Sequence, residues 1–566
     1  MIKQKIDSLT SLRFFAAAAI LVFHARGNFG LPTNFLSPFE LTQGVSFFFV
    51  LSGFILAFVY PKLDEAGAKG KFLLARFARI WPMHLASLVL YLLLVNEYEH
   101  AGLAPLAANL TLLQSWWPDY TWYFSYNAVA WSISTEAFFY ISFPFLIKDF
   151  DRTWGAKLAF SFALIVAMCE LGNWLHLSVW PSHQLSIYWL MYINPLSRLF
   201  EFVLGMTAAH LYGKYLIKRD TKLAVALGCE LVALTFVYFM MLNTVKIAEC
   251  LARLPYVQEG GRVWLEHCGV PLLSFALLIV VMAWGRGPIA RVLRLKPLVF
   301  LGEISFAIYL LHRVLLQFYW EHFAPEQGPG PFAIYLAVLL ALSFLFWSLI
   351  EVPCRQFIVR PQGGLPRPTL VSSLAAGLAL VFVTATWFGI WSGAPLERLD
   401  LAAVRAELQA ERAPDGAHIV ARKKLGDIAF GDELLLLGTK TRRDAQGLTM
   451  TVYWQALRQQ RLNFFIGLKL LSESNALVGV KYVRQSLREE EVEAGECFKN
   501  ELFVPASELT YVNSFVFRPR YPTGVSPPAR IIQVQSGAEA PKICDGFVAV
   551  KIAPSIVSGK DTGPAL

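Results

Sequence analysis

From residue 10 to Phe388 the chain is a succession of apolar runs, each close to the roughly 20 residues a helix needs to cross a bilayer. The runs fall near 10–27, 42–60, 82–95, 128–147, 158–175, 189–213, 222–242, 269–285, 298–318, 332–351 and 369–392, about eleven helices by the length rule. In hydrocarbon only a helix or a closed barrel pairs all of its own backbone polar groups. The runs therefore predict an α-helical polytopic membrane bundle of about ten core helices plus an eleventh. Composition agrees: 56% of residues are hydrophobic, 16% are charged, and the mean hydropathy is +0.48. The first run lacks a small-residue cleavage site and is followed by Arg26, so it is expected to remain a transmembrane helix and not to be removed as a signal peptide.

Lys and Arg in the connecting segments orient the bundle. With Lys3 and Lys5 on the cytoplasmic side, the alternate loops carry Lys62 to Arg79, then Lys148, Arg152 and Lys157, then Lys214 to Lys222, then Arg286 to Lys296, and finally Arg355, Arg360 and Arg367. The intervening loops hold Arg26, then none, none, then Lys246, Arg253 and Arg262, then none. This asymmetry predicts a cytoplasmic N-terminus. It also accounts for the net charge of +9 without a nucleic-acid partner.

Past Ser392 the character changes. "GAPLERLDLAAVRAELQAERAPDG" reads as a polar, helix-compatible linker, and short alternating runs such as "ELLLLGTKT", "LTMTVYWQAL", "NFFIGLKLL" and "ARIIQVQ" follow, separated by Gly, Pro and Asp turns. The expectation is a β-sandwich-like extramembrane domain over about 420–555. An odd number of spans places it outside the cytoplasm, where Cys497 and Cys544 either pair or stay as two buried thiols. The expected division is a transmembrane domain 1–360, a linker and extra helix 361–395, and an extracytoplasmic β-rich segment 396–566. No long internal repeat or low-complexity tract is present.

Ionisable residues inside the apolar runs are the functional signal, because a charge in the bilayer is expensive unless it is paired or lines a wet cavity. In "LTSLRFFAAAAILVFHARG", Arg13 and His24 are eleven residues apart. That is about 1100° of rotation, so they share a face and stand about 16 Å apart along the axis. The plainer reading is Arg13 snorkelling to headgroups and His24 as an interfacial polar residue. "GVSFFFVLSGFILAF" places Ser52 and Gly53 inside an aromatic run, where glycine admits either a neighbouring backbone or a slender ligand. "LLARFARIWPMH" puts Arg76 and Arg79 on one helical face before Pro82; two guanidinium forks suit phosphate, and positive-inside topology is the alternative.

"NAVAWSISTEAFFY" sets Glu136 one turn beyond Ser132 on the same face. In "NPLSRLFEFVLGM", Arg198, Glu201 and Gly205 share a face, and Arg198–Glu201 reads as a structural ion pair. "GEISFAIYLLHRV" aligns Ser305, Tyr309 and His312 at i, i+4 and i+7, and "WSLIEVPCRQF" carries Glu351 just before Pro353.

Taken in order, Arg13 with His24, Phe48 to Phe54, Arg76 with Arg79 and Pro82, Trp131 to Glu136, Ser305 to His312, and Glu351 to Pro353 resemble the marks of the membrane acyltransferase 3 family over about residues 5 to 360. The resemblance implies acyl transfer, usually of acetyl from acetyl-CoA, onto a hydroxyl of a sugar, lipid-linked glycan or similar acceptor. It implies acyl-CoA as a donor substrate, with no bound cofactor and no metal. Arg76 and Arg79 would meet the donor's phosphates, and its pantetheine arm would pass Ser52 and Gly53. His24 is the candidate base, a covalent acyl-enzyme being the other route. Glu136 would orient a histidine or the acceptor, and Arg13 would stabilise negative charge. Trp131, Ser305, Tyr309 and His312 are candidates for acceptor binding. The expected setting is a bacterial inner (plasma) membrane, with membrane lipids, acyl-CoA and a glycan or lipid-linked saccharide as partners.

Family members with a fused domain often carry an SGNH-type hydrolase-like module marked by a G-D-S block. Here "FGDEL" and "LGDIA" have Gly-Asp without the serine. "LTMTVYWQALRQQRLNFFIGLKLL" instead resembles sandwich domains appended to some membrane glycosyltransferases, which suggests glycan binding or assembly over catalysis. A different class, a proton-coupled transporter or polysaccharide exporter, also buries Arg, His and Glu in a helix bundle. The sequence shows neither an inverted repeat nor a matched pair of broken helices to favour it.

Overall fold

A computed structural model describes residues 6–359 except 27–28, 30, 32–38, 96–101, 180, 182–183, 255–256, 323–328, and, beyond them, strands between Arg398 and Lys551. The chain divides into two compact units: 1–26, 31–318 and 329–381 in one, 27–30, 319–328 and 382–566 in the other.

The first unit is helical. Its principal elements are α1 (Asp7–Ala25), α2 (Gly44–Val59), α3 (Ala68–Leu94), α4 (Trp131–Leu146), α5 (Phe150–Trp174), α6 (Leu199–Tyr215) and α7 (Leu223–Leu242). They continue with α8 (Gln258–Trp284), α9 (Pro288–Leu293), α10 (Lys296–Glu303), α11 (Ser305–His322) and α12 (Pro329–Val359). Among the described residues seven helices are long and apolar enough to cross a membrane, and α10 with α11, bent by 56°, supplies an eighth if the pair is one span. The architecture is that of a polytopic helical membrane protein.

All the expected apolar runs but the last fall on these helices; 369–392 lies outside the described residues. Two runs differ instructively. The expected 82–95 span is the second half of a 27-residue helix that passes through Pro82. In a membrane bundle neighbouring groups can satisfy the backbone carbonyl that a proline leaves without its donor, so the helix need not end there. As a result, Arg76 and Arg79 lie on a helix and not in a loop. The expected 189–213 run is interrupted after a π-helical turn, Trp189–Ile193. Pro195 disfavours helical backbone at the residue before it, and Asn194 is extended at φ −59°, ψ 127°. The chain re-enters α6 only at Leu199, leaving that helix 17 residues long.

Two features fix the helices that carry the ionisable residues. Gly53 of α2 and Gly205 of α6 meet face to face: a Cβ on Gly53 would overlap the Phe202 carbonyl, and one on Gly205 the Val50 carbonyl. Small residues that let backbones approach in this way are a main source of helix association in lipid. Helix α1 is held by hydroxyls, Ser8 Oγ donating to the Met282 carbonyl at 2.7 Å and Ser11 Oγ to the Leu293 carbonyl at 2.5 Å.

Behind α2 the fully buried Arg198 donates to Glu201, Ser46, the Tyr192 carbonyl and Cys268 Sγ, and lies 5.0 Å over the Phe49 ring. It forms a buried ion pair with Glu201 at 2.9 Å, the partner its spacing suggests.

The second unit contains antiparallel strands. One seven-stranded sheet runs Arg398–Leu399, Cys497–Pro505, Gly447–Ala456, Leu434–Arg443, Ile428–Phe430, Ala529–Ile531, with Ile419–Lys423 also on Leu434–Arg443. A five-stranded sheet runs Ile543–Cys544, Phe547–Lys551, Ser514–Arg520, Phe465–Leu471, Leu477–Arg484. The described residues of the expected strand segments fall on these strands, and Arg398–Leu399, inside the expected linker, pairs with Phe498 and Cys497. Cys497 and Cys544 belong to different sheets. The side chain of Cys544 lies outside the described residues.

Candidate active site

Helices α1, α2, α3, α4 and α11 line a partly open cavity of about 140 Å³. Arg13, Ser52, Arg76, Arg79, Glu136 and Tyr309, all singled out from sequence, line it. Each arrives by the spacing noted above. Arg76 and Arg79 lie one turn apart on α3, Ser132 and Glu136 one turn apart on α4, and Arg13 comes from the first half of α1.

The polar groups in the cavity are organised. Glu136 Oε1 accepts a hydrogen bond from the Tyr140 hydroxyl at 2.5 Å and a longer one, 3.4 Å, from Ser52 Oγ. Arg76 sits among aromatic faces, 5.6 Å from the Tyr60 centroid and 5.9 Å from both Phe72 and Tyr140. Its Nε is buried without a hydrogen-bond partner among the described residues. Arg79 lies 5.5 Å over Phe306 and forms an ion pair with the buried Glu351 of α12. Three guanidiniums and one tyrosine-tied carboxylate therefore face one cavity, a surface suited to a polyanion.

Tyr309 joins this cavity to a second cluster. Its hydroxyl is 2.8 Å from Ser132 Oγ and donates to the Val129 carbonyl at 3.2 Å, while its own carbonyl accepts from His312 Nδ1 at 2.6 Å. His312 Nε2 is 3.1 Å from His24 Nδ1, which also lies 3.0 Å from the Ile20 carbonyl. The tautomers follow from the carbonyls, which only accept. His312 must carry its proton on Nδ1 and accept at Nε2. His24 must carry its proton on Nδ1, which leaves Nε2 as its basic nitrogen. His312 is fully buried and fixed further by Tyr335, whose hydroxyl donates to the His312 carbonyl at 2.8 Å.

The remaining candidates lie elsewhere. Gly53 faces α6 and serves the helix contact already described, not the cavity wall. Trp131 packs against Phe49 and Tyr192 beneath Arg198. Ser305 Oγ donates to the Gly302 carbonyl at the α10–α11 bend.

Sequence reasoning missed Tyr140, although it stands one turn beyond Glu136 and on the same face, the spacing that had paired Ser132 with Glu136. It also gave Glu351 no partner. The contact with Arg79 spans 272 residues, and no local spacing reports it.

The described helices thus bring a cationic cavity and a histidine pair together in one polytopic membrane bundle. The sequence model of the acyltransferase 3 family, described as an acyltransferase domain, matches residues 6–349, and the chain belongs to this family and is an acyltransferase. Acyltransferase MdmB of Streptomyces mycarofaciens is 28% identical over 401 residues, 64% of this chain and 96% of that protein. O-acetyltransferase OatA of Staphylococcus aureus (strain NCTC 8325 / PS 47) is 23% identical over 394 residues, 65% of this chain. The match spans 61% of OatA's length. The putative O-acetyltransferase SACOL0978 of S. aureus (strain COL) is 23% identical over 412 residues, 67% of this chain and 63% of that protein. No solved structure matches the chain. Membership decides between the two classes left open by the sequence in favour of acyl transfer.

Proposed function

We propose that the protein moves an acyl group, acetyl in the usual case, from cytoplasmic acyl-CoA to a hydroxyl of an exported glycan or glycolipid at a bacterial inner membrane. The observation that carries this reading is the adjacency, through Tyr309, of the arginine-lined cavity and the His24–His312 pair. A phosphate-rich thioester needs cations at one end. An acceptor hydroxyl needs a base at the other. The alternation of basic loops supports a cytoplasmic side for Arg76 and Arg79 and an outer side for the histidines.

In the mechanism that follows, Arg76 and Arg79 bind donor phosphates and Arg13 adds positive charge along the path. His24 Nε2 removes the proton of the acceptor hydroxyl while its oxygen attacks the thioester carbonyl. Collapse of the tetrahedral adduct breaks the C–S bond, and the departing CoA thiolate takes up a proton, the one on His24 being available. Glu136, held by Tyr140 and Ser52, orients the reacting groups. General-base help of this kind contributes about 10²- to 10⁴-fold.

The β-rich segment is, on this reading, an extracytoplasmic sandwich-like domain that binds glycan or a partner, with Cys497 and Cys544 able to pair there. The likeness to O-acetyltransferase OatA and to the putative O-acetyltransferase SACOL0978 supports an O-linked product. The test is transfer of label from radiolabelled acetyl-CoA by membrane vesicles of each orientation. Donor consumption only in vesicles exposing the cytoplasmic face is expected. Equal consumption in both orientations, or none in either, overturns the reading.

A further inference from the structure

Arg79 is occupied by a carboxylate of this chain. Glu351, in the π-helical turn Trp347–Glu351 of α12, is 2% exposed and pairs with the Arg79 guanidinium, which is 17% exposed and lines the cavity. Only half of that carboxylate is engaged: Glu351 Oε2 is buried without a hydrogen-bond partner among the described residues. Arg355 follows four residues later, exposed, and within electrostatic reach of Arg76 and Arg13. Arg79 in turn feels the charges of Arg13, Arg355 and Arg76. Arg355 thus adds a fourth positive charge near the three guanidiniums that line the cavity beside Glu136, and Glu351 engages Arg79 through one oxygen only.

Crowded cations need an anion when no ligand is present, and a half-satisfied buried carboxylate is poised to give its place to a better acceptor. We propose that Glu351 is a resident anion that holds Arg79 in the absence of donor, is displaced from it by a donor phosphate, and then pairs with Arg355. This rests on the reading that Arg76 and Arg79 bind donor phosphates. The exchange leaves Arg79 with an anionic partner at every stage. A Glu four residues before an Arg on a helix is also the favoured order for a side-chain ion pair, so the released carboxylate has a partner one turn away. Phosphate groups, and not the thioester alone, are then what opens the site, and a phosphate-free thiol or thioester cannot do so.

Calorimetric binding of CoA and of phosphate-free pantetheine to the purified full-length protein separates the outcomes. Glu351→Gln, which keeps the shape and removes the competing charge, should bind CoA about three- to tenfold more tightly, because the fraction of Arg79 free to bind rises. Pantetheine affinity should not change. Arg355→Ala, at an exposed position, should weaken CoA binding by a similar factor in the native background and by less in the Glu351→Gln background. CoA affinity that is unchanged or weakened by Glu351→Gln overturns the proposal and makes Glu351 a fixed prop for Arg79. Should Glu351→Gln not fold, unchanged CoA affinity in Arg355→Ala overturns it as well. If the native protein binds CoA no better than pantetheine, the donor reading itself fails, a result distinct from either of these.

Discussion

Replacing His312 tests whether the second histidine acts through the first. On the structure its Nε2 accepts from His24 Nδ1 at 3.1 Å, and that nitrogen also faces the Ile20 carbonyl at 3.0 Å. His312→Leu removes one of two acceptors and leaves the His24 proton on Nδ1. The loss should therefore equal one neutral hydrogen bond, about 0.5–1.5 kcal/mol, or roughly 2- to 12-fold in rate. It should be far from the roughly 10²- to 10⁴-fold expected for loss of the base itself. The assay is steady-state transfer with acetyl-CoA varied. kcat should fall within that range, KM for the donor should hold, and His312→Gln, which restores an acceptor, should recover most of the rate. Loss as complete as that of a His24 variant would make His312 the base and refute the assignment, and a native rate would refute the coupling.

Other expectations are independent of this one. Arg76→Ala should raise the donor KM by about 10- to 150-fold, one charge-assisted hydrogen bond being worth about 1.5–3 kcal/mol, with a smaller effect at saturating donor; an unchanged KM returns Arg76 to a role in topology alone. Gly53→Val and Gly205→Val should each cost at least the roughly 1–3 kcal/mol of an overpacked core, because the obstacle is a backbone carbonyl; thermal unfolding in detergent at native temperature would contradict the described α2–α6 contact. Alkaline phosphatase fused after Leu566 should be active and green fluorescent protein dark in a bacterial host. The reverse result would place the β-rich segment in the cytoplasm and reassign it to the donor side.

What could be read from sequence was whatever is periodic or sequential. Runs of about 20 apolar residues mark helices wherever they occur. The i, i+3 and i, i+4 spacings of Arg76 with Arg79 and of Ser132 with Glu136 fixed faces that the fold turned into one cavity wall. What stayed hidden depends on approach between distant segments. Glycine in an aromatic run suits a ligand path or a helix contact equally, and the sequence could not report that the Phe202 backbone lies against Gly53. Ser305 and Trp131 carry polar atoms at suggestive positions, yet one bonds within its own turn and the other supports Arg198. The His24–His312 pair joins residues 288 positions apart, so no local spacing reports their contact.

The central claim is that His24 is the base of an acyl transfer that begins on a cationic cavity. The most direct measurement is transfer of radiolabel from acetyl-CoA to acceptor by purified His24→Ala, compared with the native protein at equal membrane yield and with CoA affinity recorded alongside. The account predicts transfer reduced by about 10²-fold or more while CoA still binds with native affinity. Near-native transfer by His24→Ala would contradict it.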